Sequence, residues 1–195
     1  MIAYLKGKLV HKEPTHVVVE VNGVGYQVGI SLHTFSEIKD REDIKLATYL
    51  VVREDAHILY GFASDSEKQM FQMLISVNGV GPSTALVVLS YLTPDELKSA
   101  IVNEDTNALQ AVKGIGGKTA QRLVLELKDK LRKDVMETTG TGGTVRNTLR
   151  SEALTALVTL GIGKAAAEKS IDTLLKKSGG AISLEELVKQ ALKTA

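Results

Sequence analysis

The sequence predicts an α+β, multidomain chain, and three observations carry that prediction. Short β-branched runs with alternating polarity fill residues 1–63. A helical pattern replaces them from Ser64, and within it Val77-Asn78-Gly79-Val80-Gly81 is matched by Val112-Lys113-Gly114-Ile115-Gly116, 35 positions on. Thr138-Thr139-Gly140-Thr141-Gly142-Gly143-Thr144 then interrupts the apolar patterning before a last helical stretch. The expected division is a barrel at 1–63, a helical domain at 64–133, a flexible linker at 134–147 and a three-helix domain at 148–195.

The strands follow from alternation and turn chemistry. Thr15 to Val21 is β-branched, Asn22-Gly23 is a hairpin turn, and Val24 to Ile30 returns. Ile44 to Val52 and His57 to Phe62 pair around Arg53-Glu54-Asp55-Ala56, Ile2 to Val10 is the first strand, and a short helix fits Leu32 to Ile38. Five strands in so short a stretch suggest a small closed barrel of the OB type.

The helices follow from caps and apolar faces. Ser66 is read as the cap of a helix running to Val77 with Phe71, Leu74 and Ile75 on its apolar side. Thr93-Pro94-Asp95-Glu96 is a strong start: a capping hydroxyl, proline at the first helical position, and acids in the first turn. Asp105 to Ala111 and Lys118 to Lys133 are the next two, and Ser183-Leu184-Glu185-Glu186 opens the last helix of the chain.

Composition narrows the function classes. Hydrophobic residues make up 44% and charged residues 24%, with no cysteine, so disulfides and thiolate zinc sites are excluded. No apolar run approaches the roughly 18 residues of a membrane span, and Met1-Ile2-Ala3-Tyr4-Leu5-Lys6 is unlike a signal peptide. A cytoplasmic location with no membrane partner is expected. The net charge of +1 is spread evenly, so any nucleic-acid surface must be local. With 4% aromatics, base stacking is not the expected binding mode.

The duplicated glycine turn carries the chemistry. Leu74 aligns with Leu109 and Thr84-Ala85 with Thr119-Ala120, so each copy reads as helix, glycine hairpin, helix. A helix N-terminus has unsatisfied N–H groups and partial positive charge, which together hold a phosphate without a basic side chain. Glycine permits the tight turn and the close approach of a ligand. The candidate phosphate-binding residues are Gly79, Val80, Gly81, Ser83 and Thr84 in the first copy, and Gly114, Ile115, Gly116, Lys118, Thr119 and Arg122 in the second. Val80 and Ile115 should point inward and pin the turns, and Ala85 and Ala120 should let helices pack closely. Lys118 and Arg122, one turn apart, add charge that the first copy lacks, with Ser83 standing where the second copy has Lys118. Tandem hairpins related by an approximate two-fold can hold the two strands of a duplex across the minor groove, without reading bases.

Other chemistries find little support. Gly116-Gly117-Lys118-Thr119 resembles the end of a phosphate-binding loop, but the leading glycine would fall at Val112 and a helix precedes it. The dinucleotide fingerprint would need its third glycine at Thr84 or Thr119. No ATP site is expected, nor a metal site: His11, His16, His33 and His57 lack helical ligand spacing. No catalytic residue is identified. Glu54-Asp55, taken alone, is a solvated hairpin tip.

These residues together resemble the RuvA family, the Holliday-junction-binding subunits of the bacterial branch-migration machine. The likeness covers Met1-Ile2 through Leu9, Arg53-Glu54-Asp55-Ala56 with Leu59-Tyr60-Gly61-Phe62, both hairpins, the linker and the helical tail. It implies a homotetramer, which can pair as an octamer, holding a four-way DNA junction open and flat, with Glu54 and Asp55 as an acidic pin at its centre. It implies a role in homologous recombination, DNA repair and the SOS response. The implied partners are the RuvB hexameric ATPase, which would use ATP and magnesium, and the RuvC resolvase; no cofactor is implied on this chain. Leu157, Leu160 and Ile162, around a third Gly-x-Gly in a ubiquitin-associated-like three-helix fold, are the implied RuvB contacts. Two positions depart from the family pattern: Ser83, after Pro82, where lysine is frequent, and Lys113, where proline is frequent. Two other classes stay open from the residues alone. One is a structure-selective DNA repair enzyme clamping DNA with the hairpins, against which the lack of an acidic metal cluster counts. The other is a protein-interaction scaffold, against which Lys118 and Arg122 count.

Overall fold

The computed structural model describes residues 1–138, 145–177 and 182–194, which form two compact units, Met1–Val135 and Met136–Ala195. The first unit opens with β1 (Tyr4–Lys12), β2 (His16–Val21), β3 (Val24–Ile30), α1 (Leu32–Ile38), β4 (Asp43–Val52) and β5 (His57–Phe62). These strands close a barrel in the order β1-β2-β3-β5-β4, antiparallel except where β3 meets β5. Alternation explains the inside: Leu5, Leu9, Val17, Val19, Val28, Ile30, Ile44, Leu46 and Leu59 share one buried cluster. Asn22 and Gly23 both have positive φ, 51° and 83°, as the expected two-residue hairpin requires. Gly7 lets β1 cross β2 closely, since a Cβ there would lie 2.1 Å from the Glu20 carbonyl oxygen. β1 starts two residues later than expected, where pairing with β4 begins at Tyr4↔Ala47, and ends two residues later because a bulge between Leu9 and His11 carries pairing on to Lys12↔Val17.

Helices α2 (Asp65–Ile75), α3 (Pro82–Tyr91), α4 (Pro94–Val102), α5 (Thr106–Gln110) and α6 (Gly117–Thr138) follow. The cap of α2 is Ser64, not Ser66. Ser64 has extended backbone and its Oγ accepts from the Glu67 N–H at 3.2 Å, whereas Ser66 is already inside the helix. α4 begins as expected, with a reciprocal capping box between Thr93 and Glu96. The helices and the barrel share a core: Phe71 packs its ring 4.9 Å from Phe62 and 5.2 Å from Tyr60. The same cluster continues through Leu74, Leu97, Leu109, Leu123 and Leu127, so no break in packing marks position 63.

A buried polar network also joins barrel to helices. Glu67 is fully buried; Thr34 Oγ1 donates to it at 2.6 Å, and Ser31 Oγ donates to its other oxygen. Thr34 Oγ1 accepts from Ala63 N at 3.0 Å, and Ser90 Oγ on α3 accepts from Leu32 N at 3.0 Å. These bonds hold α1 against α2 and α3.

The second unit holds α7 (Val145–Thr159), α8 (Lys164–Lys177) and α9 (Leu184–Thr194) around Ala153, Leu157, Ala167, Ile171, Leu175, Leu187 and Ala191. Arg150 on α7 makes a two-pronged pair with Asp172 on α8, at 2.6 and 3.0 Å, and these hydrogen bonds hold the Asp172 carboxyl below its usual pKa. Within the stretch expected as a linker, 134–147, α6 runs on to Thr138 and α7 starts at Val145. Asp134 to Thr138 contains no glycine or proline to stop a helix. Residues 139–144 lie outside the described ones. Among the described residues, no helix is long and apolar enough to cross a membrane.

Candidate nucleic-acid interface

The two glycine turns fold alike, atom for atom in their hydrogen bonding. Gly79 and Gly114 have φ of 93° and 95°, a conformation costly for any residue with a Cβ. One residue on, Val80 N donates to Val77 O at 3.1 Å and Ile115 N donates to Val112 O at 3.0 Å. Val80 and Ile115 are each 5% exposed, so they anchor the turns in the core as expected. The outgoing helices also start in register: Ala85 N bonds Gly81 O and Ala120 N bonds Gly116 O, both at 2.9 Å. Ala85 and Ala120 are fully buried.

Backbone is exposed at the rim of each turn. A Cβ added at Gly79, Gly81 or Gly116 would meet nothing within 4 Å, so the rim of each turn is open. The start of α3 has no side-chain cap, which leaves the N–H groups of Ser83 and Thr84 for an external acceptor. In the second copy the equivalent donors are Gly117, Lys118 and Thr119. Gly117 stands where the first copy has Pro82, which has no N–H, so the second hairpin offers one more donor. Sequence reading missed Gly117; its alignment with Pro82 in the repeat is the signal that finds it.

The side chains divide by role. Ser83 and Lys118 are exposed, and Thr84 and Thr119 are half-buried. Lys118 has no ion-pair partner among the described residues. Arg122, expected as a second phosphate contact, also makes contacts within the protein. Its Nη1 donates to the Asn78 carbonyl at 3.1 Å, and its Nε lies 3.8 Å from Glu126 Oε1. It therefore ties the second hairpin's helix to the first hairpin. Thr84 Cγ2 would touch a Cβ on Gly114 at 3.9 Å, so the two turns lie side by side.

At the other end of the barrel wall, Arg53 N bonds Ala56 O at 2.9 Å and closes the β4–β5 turn. Glu54 and Asp55 project from it, exposed and without a cationic partner among the described residues. In the second unit, Gly161 has φ of 92°; Gly161 N bonds Val158 O and Ile162 N bonds Leu157 O, both at 3.0 Å. This pair of bonds is a glycine helix stop. Leu157 is fully buried in the three-helix core, so it presents no side chain to a partner. Leu160, 60% exposed, and Val158, 45% exposed, flank the turn instead, with Ile162 half-buried.

The histidines are not as dispersed as their spacing implied. The β1–β2 turn brings His11, Glu13 and His16 together, with one possible ligand atom from each within 4.8 Å of the others.

Comparison with known proteins agrees with this geometry. Residues 1–61 match the family model described as RuvA N terminal domain, and residues 71–129 match a SAM-like helix-hairpin-helix tandem. A Cytophaga hutchinsonii protein named Holliday junction branch migration complex subunit RuvA is 55% identical, with 99% of each chain covered. Proteins of the same name from Christiangramia forsetii and Bacteroides fragilis are 49% and 42% identical, again with 99% of each chain covered.

Proposed function

The chain belongs to the RuvA family, and from that membership we propose that it binds four-way DNA junctions and directs a branch-migration motor to them. The observation that carries the reading is the matched pair of hairpins, with uncapped N–H groups at the start of α3 and backbone donors at the start of α6. Each pair grips the phosphates of one duplex arm, and such contacts carry no base information. Four copies around a four-fold axis would place four Glu54-Asp55 tips at the centre. Carboxylates there repel phosphates where screening is weakest, which keeps strands apart and disfavours unbroken duplex.

The chain is a non-catalytic subunit in this account. ATP and magnesium are used by the partner, a RuvB-type hexameric ATPase. Leu160, with Val158 and Ile162 beside it, is the apolar contact for that motor on the second unit. A RuvC-type resolvase shares the junction, and the complex works in the cytoplasm. A gel-shift comparison tests the proposal: a four-way junction binds far more tightly than a linear duplex of the same sequence, and ATP changes neither. Equal affinity for both DNAs overturns it.

A further inference from the structure

We propose that His11, Glu13 and His16 form a surface site for a divalent transition-metal ion of the nickel–copper–zinc group, with water completing the coordination. Two imidazole nitrogens and a carboxylate oxygen are the donors that such ions select. The pairing register puts all three on one face. His11 opposes Val18, and Glu13 N bonds His16 O at 2.9 Å across the turn, so His11 and Glu13 are same-side neighbours and His16 sits diagonally across.

The distances already approach a coordination shell. Zinc–ligand bonds of about 2.0–2.1 Å place tetrahedral ligands about 3.4 Å apart. His11 Nε2 lies 3.1 Å from Glu13 Oε1, and His16 Nδ1 lies 3.6 Å from Glu13 Oε2. The rings are tilted by 38° with centroids 5.6 Å apart, so side-chain rotation alone closes the set.

The scaffold is held in place. Lys12, between the ligands in sequence, points to the other face. Its Nζ donates to the carbonyls of Lys39 and Arg41 at 3.1 and 2.8 Å. That ties the turn to the end of α1. Ile30 N bonds Thr15 O at 3.1 Å and ties it to β3. Pro14 limits the turn further. A preorganised site loses little freedom on binding.

Calorimetric titration of the untagged full chain with zinc chloride tests the proposal. One zinc ion binds per chain; His11→Ala and His16→Ala each weaken binding at least about tenfold, and His57→Ala leaves it unchanged. Imidazole NMR signals of His11 and His16 shift on zinc addition while those of His33 and His57 do not. Absence of stoichiometric binding, or binding that survives the His11→Ala/His16→Ala double variant with unchanged far-UV circular dichroism, overturns it.

Discussion

Lys118 and Arg122 lie one turn apart on α6, yet the structure assigns them different work, and replacing each by alanine separates the two. Lys118 is exposed and unpaired among the described residues, so Lys118→Ala should leave stability within about 0.5 kcal/mol of wild type. It should instead reduce the salt dependence of DNA binding. Each neutralised phosphate contributes about 0.9 to the slope of log affinity against log salt, so every clamp on the junction loses about that much. Over a fourfold rise in salt, that is about a 3.5-fold effect per clamp. Arg122 holds the Asn78 carbonyl at 3.1 Å from a half-exposed position. Discounted for solvent, Arg122→Ala should destabilise the first unit by about 1 kcal/mol or less and loosen the first hairpin relative to the second. All five tyrosines and no tryptophan lie in residues 4–91, so tyrosine fluorescence in urea reports on the first unit alone. Fluorescence anisotropy on a labelled junction gives the slopes. An unchanged slope for Lys118→Ala, or a loss of stability for it larger than for Arg122→Ala, refutes the assignment.

Three further outcomes are expected. Glu67→Ala strands the Ser31 and Thr34 hydroxyls in the interior and should destabilise the first unit by about 3 kcal/mol, read as a lower urea midpoint, with Glu67→Gln costing less. Neutralising the tip with Glu54→Gln and Asp55→Asn should raise duplex affinity several-fold at low salt and change junction affinity little; anisotropy titrations with both DNAs check this. Removing residues 145–195 should leave junction binding intact and abolish stimulation of the partner ATPase, measured as phosphate release.

How much of this was legible in the sequence depended on range. The Asn22-Gly23 turn, the Thr93–Glu96 capping box and the two glycine hairpins are set by residues a few positions apart, so their chemistry reads directly from the chain. The α2 cap is Ser64 where the sequence suggests Ser66: both serines stand three residues before a Glu or Gln, and packing of Glu67 against α1 selects Ser64. Leu157 and Leu160 are both plausible apolar contacts by composition, and only helix phase against α8 and α9 buries the first and exposes the second. The Arg122–Asn78 bond spans 44 positions and the Thr34–Glu67 bond spans 33; neither leaves a local pattern. The His11–Glu13–His16 cluster was missed because a strand bulge and a reverse turn, not helical spacing, bring it together.

The central claim is that paired hairpins hold phosphates through backbone N–H groups and do not read bases. Junctions carrying neutral methylphosphonates at single arm positions test it directly. Affinity should fall when phosphates on either strand flanking one minor groove are neutralised, and scrambling the arm sequence should have no effect. Affinity that ignores phosphate neutralisation but follows base sequence would contradict it.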